Sequence, residues 1–84
     1  MEKIKILEQV IATISRIAEI NVEDIDGNSN LMDNLSLSSL EMISIVGELE
    51  EKYNVEIDYE DMSKFINVND IVEFIDKKAD EKIK

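Results

Sequence analysis

Three stretches of the chain repeat apolar residues at intervals of three and four positions, and this spacing restricts the possible folds more than any other feature. Residues three or four positions apart share one face of an α-helix, so each stretch predicts a helix with one apolar face. The stretches cover residues 2–18, 39–53 and 68–79. The expected apolar faces comprise Ile4, Leu7, Val10, Ile11, Ile14, Ile17 and Ala18, then Met42, Ile43, Val46, Leu49 and Tyr53, then Val68, Ile71, Val72, Ile75 and Ala79. Helices of this kind bury their apolar faces against one another, which favours a bundle.

The connecting segments are consistent with an all-α fold. Residues 19–38 are rich in Asn, Asp, Ser and Gly, and a connection of this length is expected to pack onto the core. Residues 54–61 form a second loop, and residues 60–66 predict a short helix. The expected anchors of the two loops are Val22, Ile25, Leu31, Met32, Leu35, Leu37, Val55 and Ile57. Asn67 and Asp70 form a cap-like pair before the last helix.

These elements predict one domain over residues 1–84. Its fold class is all-α, a small four-helix bundle with three longer helices, one short third helix and a long first loop. The absence of proline and the presence of only two glycines suit such a chain.

The composition excludes several classes of function. The chain contains no Cys and no His, so it forms neither a disulfide nor a thiolate zinc site, and a Ser-His-Asp hydrolase is excluded. With no such residues for acid–base or nucleophilic work, we do not expect an enzyme. The net charge of −11 disfavours nucleic acid and anionic membranes, and it favours basic protein partners.

Membrane and metal sites are not predicted either. No apolar run reaches the length that spans a bilayer, and residues 1–5 lead into an amphipathic segment instead of a signal peptide, so we expect a cytoplasmic protein. We also expect it to be a monomer. Asp24, Asp26 and Asn28 suggest a calcium loop. We reject that interpretation because the glycine stands at the fourth position of the loop and Leu35 stands where a bidentate Glu is needed.

The junction between the first loop and the second long helix holds the best candidate for a binding site. Ser38 and Glu41 fit the S-x-x-E capping box. Ser39 then occupies the first helical position, beside free N–H groups and the positive end of the helix dipole, which suits a phosphate. Taken alone, this local chemistry favours a serine that only starts the helix.

The wider pattern around Ser39 resembles the acyl carrier protein family of phosphopantetheine-binding carriers. The matching segments are residues 31–35, Ser39-Leu40, and residues 49–57, where an acidic helix end runs into a loop with Val and Ile. The resemblance implies a stand-alone carrier with 4′-phosphopantetheine attached to Ser39 by a separate phosphopantetheinyl transferase. The arm would hold an acyl or aminoacyl group as a thioester and present it to enzymes of fatty acid, polyketide or related lipid metabolism.

The chain departs from the family pattern at two positions. Ser38 replaces the usual Asp before the modified serine, and Ser36 replaces the usual Gly after the residue 31–35 segment. Both replacements point toward a specialised carrier.

The resemblance also implies a docking surface on the second long helix and a cavity for the acyl chain. Acidic residues would meet Arg and Lys on acyl-loading and acyl-processing enzymes, and an exposed Leu40 would contact the transferase. The expected partner-binding residues are Leu40, Glu41, Ser44, Gly47, Glu48, Glu50 and Glu51. The candidates for the acyl cavity are Met42, Val46, Met62 and Phe65. Because the family often has smaller residues at Met62 and Phe65, we expect long acyl chains to be poorly enclosed.

Three alternatives to an acyl carrier stay open at this point. One is an unmodified acidic helical interaction module in which Ser39 is only a helix-start residue. Another is a peptidyl or aminoacyl carrier of a nonribosomal pathway. The third is a metal-binding acidic helical protein, which the failed calcium-loop spacing disfavours.

Overall fold

The structure is a computed structural model that describes the backbone of residues 2–83 and the side chains of residues 2–79. It contains helices α1 (Lys3–Ala18), α2 (Ser39–Tyr53), α3 (Tyr59–Met62) and α4 (Val68–Ile83), with a 3-10 turn at Val22–Asp24 in the first loop. Within residues 2–83 the β-type pairing is limited to one isolated bridge between Asn30 and Asn67. The all-α prediction, with three longer helices, one short third helix and a long first loop, is therefore confirmed. None of these helices is long and apolar enough to cross a bilayer.

The core lies where α1 packs against α2 and α4. The fully buried side chains of these helices are Ile6, Val10, Ile14, Ile45, Leu49, Val68, Ile71 and Ile75. The predicted apolar face of α4 is confirmed, because Val68, Ile71, Val72, Ile75 and Ala79 are all buried.

Two isoleucines of the predicted apolar faces point outward instead. Ile4 is 60% exposed while Ile6 is fully buried, and Ile43 is 53% exposed while Ile45 is fully buried. Residues two positions apart lie on nearly opposite sides of a helix. In each pair, the isoleucine outside the predicted apolar face is therefore the one that meets the neighbouring helices.

The long first loop packs onto the core, as expected, through four of its six predicted anchors. Ile25, Leu31, Leu35 and Leu37 are buried. The prediction was wrong for the other two anchors: Val22 lies in the 3-10 turn and is 53% exposed, and Met32 is 73% exposed. Val55 and Ile57 are buried, which confirms that they anchor the second loop.

Backbone hydrogen bonds attach the first loop to the start of α4. The Leu31 N–H donates to the Ile66 carbonyl at 2.9 Å, the Val68 N–H donates to the Ser29 carbonyl at 3.2 Å, and the Asn69 N–H donates to the Gly27 carbonyl at 2.9 Å. A Cβ atom at Gly27 would lie 2.4 Å from Asn69 Oδ1, so a larger residue there would displace the Asn69 side chain. We call this set of contacts the loop clamp.

Helix α3 is shorter than the predicted segment 60–66. It begins at Tyr59, because Asp58 forms a capping box with Asp61, and it ends at Met62. Beyond it, the Asp70 carboxylate accepts the N–H groups of Ile66 at 2.8 Å and Asn67 at 3.1 Å, which caps the start of α4. Asn67 Oδ1 in turn accepts the Asp70 N–H at 3.0 Å, so the predicted cap-like pair is confirmed.

Candidate functional site

The start of α2 is held by the capping box that the sequence predicts. Ser38 Oγ accepts the Glu41 N–H at 3.1 Å, and Glu41 Oε1 accepts the Ser38 N–H at 2.8 Å. Ser39 is the first residue of the helix, and its side chain is exposed. Ser38 and Glu41 therefore satisfy each other's hydrogen bonds, and the side chain of Ser39 stays accessible.

Two backbone amides beside Ser39 point out of the helix end without a partner. Within residues 2–79, the N–H groups of Ser39 and Leu40 donate to no acceptor, and the Ser39 hydroxyl forms no hydrogen bond. Free N–H groups at a helix N-terminus attract anions, and the helix dipole adds to this attraction. An exposed hydroxyl in this setting fits a covalently attached phosphate.

The loop before α2 is shaped by local side chain–backbone bonds. Asn30 Oδ1 accepts the N–H groups of Met32 at 3.0 Å and Asp33 at 2.8 Å. Asn34 Oδ1 accepts the Asn30 N–H at 2.6 Å. These bonds fold the segment compactly and bring it to Ser36, which lies in the left-handed region with φ 52°.

A cavity of about 280 Å³ opens directly beside Ser39. Its lining is mostly apolar and consists of Leu31, Met32, Leu37, Ser38, Ser39, Met42, Ile43, Tyr59, Met62, Ser63 and Phe65. The structure thus brings Met42, Met62 and Phe65 to the cavity, whereas Val46 lies behind it in a buried cluster with Val55 and Ile57.

Several cavity residues were not anticipated from the sequence. Met32 was expected to be an anchor and Ile43 to be a core residue, but both are exposed and line the cavity. Tyr59 is 78% exposed and lines it from the start of α3. The Asp58–Asp61 capping box starts α3 at Tyr59, one residue earlier than predicted, and it is the sequence signal that could have placed this residue.

The carboxylates of α2 differ in whether they already contact another group of the domain. Glu41 belongs to the capping box, and Glu50 Oε2 accepts the Ile57 N–H at 2.9 Å, so it ties the second loop to the helix. Glu48 pairs with Arg16 of α1, and this contact raises the pKa of the Arg16 guanidinium. Glu51 is exposed and makes no ion pair with the part of the chain that the structure describes.

The remaining predicted contact residues of α2 are exposed. Leu40 is 78% exposed next to Ser39, and Ser44 and Gly47 also face solvent. A Cβ atom at Gly47 would meet no atom within 4 Å among the described residues. Gly47 therefore serves no close approach between helices of this domain, and its position is open to an outside partner.

Comparison with known proteins agrees with this geometry. The family model described as "Phosphopantetheine attachment site" matches residues 8–75. The acyl carrier protein of Desulforapulum autotrophicum is 35% identical over 60 residues, which cover 71% of this chain and 78% of that protein. The acyl carrier protein of Buchnera aphidicola is 35% identical over 65 residues, which cover 77% of this chain and 82% of that protein.

A more specialised relative is also similar. The meromycolate extension acyl carrier protein of Mycobacterium leprae is 35% identical over 78 residues, which cover 88% of this chain and 68% of that protein. The family model spans most of the chain and includes the start of α2, where the exposed serine and the free amides fit the phosphate of the prosthetic group. The chain therefore belongs to the acyl carrier protein family, and it is an acyl carrier whose prosthetic group is 4′-phosphopantetheine.

Proposed function

We propose that Ser39 is the attachment residue, and that the chain presents acyl groups held on its 4′-phosphopantetheine arm to a series of acyl-handling enzymes. The observation that carries this assignment is the exposed Ser39 hydroxyl at the start of α2, next to two unpartnered amides and at the edge of an apolar cavity. The other serines of this region are less suitable. Ser38 uses its hydroxyl in the capping box, and Ser36 precedes the helix.

The residues of this chain bind and orient the arm, and they do no chemistry on the acyl group. When it is attached, the 4′-phosphopantetheine group supplies the thiol on which the acyl chain is held as a thioester. The N–H groups of Ser39 and Leu40 stabilise the negative charge of the phosphodiester. The cavity lined by Met42, Met62 and Phe65 removes part of the acyl chain from water.

Attachment is assigned to a partner enzyme, because no base among residues 2–79 accepts a hydrogen bond from the Ser39 hydroxyl. A phosphopantetheinyl transferase takes the proton of the Ser39 hydroxyl, and the serine oxygen forms a bond to phosphorus. The nucleotide half of coenzyme A leaves with the electrons of the broken P–O bond. Leu40, exposed beside the serine, provides an apolar contact for this enzyme.

Docking of acyl-loading and acyl-processing enzymes uses the exposed side of α2. Glu51 offers its carboxylate freely, whereas Glu41 and Glu50 each hold a backbone N–H and Glu48 is partly neutralised by Arg16. Attraction to basic patches on these enzymes speeds encounter and weakens as salt is added. The pathway served is of the fatty acid or polyketide type, in the cytoplasm, and the carrier acts as a monomer.

The test is intact-protein mass spectrometry after incubation with coenzyme A, magnesium and a broad-specificity phosphopantetheinyl transferase. The wild type should gain the mass of one phosphopantetheine, and Ser39→Ala should gain none. Ser44→Ala is the matched control, because it removes an exposed hydroxyl from the same helix and should be modified like the wild type. Failure of the wild type with several transferases would refute the proposal and favour an unmodified interaction module.

A further inference from the structure

A groove of about 400 Å³ runs between α1 and α2, and its lining carries charges of both signs. It is lined by Gln9, Ala12, Thr13 and Arg16 of α1 and by Glu48, Glu51 and Lys52 of α2. We propose that this groove is a docking site for a helix of a partner protein, and that this helix carries an acidic and a basic side chain one turn apart. The inference goes beyond the proposed function, because the groove lies apart from Ser39.

The lining residues form a continuous stripe on each helix. On α1 they occupy positions i, i+3, i+4 and i+7, and on α2 they occupy positions i, i+3 and i+4. Side chains at such spacings form a ridge on the helix surface, and helices pack by placing the ridges of one into the grooves of another. The lining also includes Ala12 and Thr13, which are small, so the backbone of a third helix can come close. The groove therefore has a shape that a helix fits.

The charged side chains of the groove are only partly used within the domain. Arg16 Nη2 donates to Glu48 Oε2, and the remaining N–H groups of the guanidinium donate to no acceptor among residues 2–79. Lys52 stands one helical turn after Glu48, yet it forms no ion pair with any of these residues. Glu51 is exposed and unpaired in the same way. The groove therefore offers available positive charge at Arg16 and Lys52 and available negative charge at Glu51.

Charge complementarity selects the occupant of the groove. A purely basic segment would be repelled by Arg16 and Lys52, and a purely acidic one would be repelled by Glu48 and Glu51. A helix with both charges can place its acidic side chain at Lys52 or at the unused N–H groups of Arg16, and its basic side chain at Glu51. A second copy of this chain is a poor occupant, because two domains with a net charge of −11 each repel one another.

The groove and Ser39 lie on opposite sides of α2. Glu48 follows Ser39 by nine residues within the same helix. This separation is about two and a half turns, which places the two side chains half a turn apart around the axis and about 13.5 Å apart along it. A helix in the groove would therefore leave Ser39 and the cavity beside it open. Under the proposed function, the groove suits a partner that holds the carrier while its arm is in use.

The experiment is an NMR titration of the nitrogen-15-labelled full chain with a helical peptide. The peptide is rich in alanine, is blocked at both ends, and alternates Glu and Lys at every fourth position along one face. It should shift the amide signals of Ala12 and Thr13 and the side-chain N–H signals of Arg16, and it should leave the amide signal of Ser39 unchanged. Because salt screens surface charges, binding should weaken when the salt concentration is raised from about 50 mM to about 500 mM.

Charge reversals test whether the groove itself binds the peptide. Lys52→Glu should weaken binding roughly tenfold, since it replaces an attractive pair by a repulsive one. Arg16→Gln should weaken it as well, because it removes the other positive charge of the groove. Lys64→Glu is the matched control: Lys64 is exposed and lies outside the groove, so the same change in net charge should leave binding as in the wild type. No shift of the groove signals in the wild type, or an equal loss in Lys52→Glu and Lys64→Glu, would overturn the inference.

Failure of the proposed function can be told apart from failure of this inference. The titration uses the unmodified protein, and Ser39→Ala should bind the peptide like the wild type, so the groove is tested even if Ser39 gains no phosphopantetheine. Where the transferase does modify Ser39, the rate should be the same with and without a saturating amount of peptide. A slower reaction in the presence of the peptide would show that the peptide covers the serine, and it would contradict the placement in the groove.

Discussion

Replacing Ser36 by glycine should stabilise the domain. Ser36 lies in the left-handed region with φ 52°, where a side chain with a Cβ costs roughly 1–2 kcal/mol. Glycine avoids this cost but loses about 0.5–1 kcal/mol more conformational entropy on folding. The Ser36 side chain is exposed and makes no hydrogen bond with residues 2–79, so its removal sacrifices no contact. The expected net gain is about 0.5–1 kcal/mol, or roughly 3–6 °C in Tm for a domain of this size.

Urea and thermal unfolding of a short variant series would measure this gain. Ser36→Asn should fall between serine and glycine, because Asn tolerates the left-handed region better than most residues. Ser36→Val should destabilise the domain by at least 1 kcal/mol, since a β-branched side chain is poorly accommodated there. Ser44→Gly is the matched control, because Ser44 is an exposed residue inside α2, where the same exchange should destabilise by roughly 0.5 kcal/mol. Equal signs for Ser36→Gly and Ser44→Gly would refute the reasoning.

Three further perturbations test other parts of the structure. Gly27→Ala should destabilise the domain by at most about 1 kcal/mol in urea unfolding, because its Cβ would displace only the end of the exposed Asn69 side chain, and adding Asn69→Ala should recover the loss. Glu50→Ala should lose about 1–2 kcal/mol and speed amide exchange in the second loop, whereas Glu51→Ala should leave both unchanged. The Asp61 N–H lowers the pKa of Asp58, so the cap of α3 should weaken as pH falls below about 4 toward that lowered pKa; NMR titration should show this in the wild type but not in Asp58→Asn.

The long helices and the start of the candidate site could be predicted because they depend on local patterns. The bounds of α2 were right at both ends, since the Ser38–Glu41 capping box sets its start and Asn54, in the left-handed region, ends it. The same holds for the cap formed by Asn67 and Asp70.

Local patterns could not predict which isoleucines point into the core. In the pairs Ile4/Ile6 and Ile43/Ile45, both members continue an apolar spacing with some neighbours, so local periodicity does not choose between them. The choice depends on which side of the helix meets the other helices, and that is a property of the whole bundle.

The loop clamp has a consequence for how the domain opens. Its three backbone hydrogen bonds join the first loop to the start of α4, and these segments lie far apart in sequence. Breaking the bonds frees the chain between them, and the conformational entropy gained favours breaking all three together. The amides of Leu31, Val68 and Asn69 should therefore exchange with deuterium as one cooperative unit, at a lower free energy than those in the middle of α1. Because Leu31 lines the cavity, each such opening would also admit water to the cavity, and under the proposed function the lifetime of the clamp would set how long an acyl chain stays hidden from water.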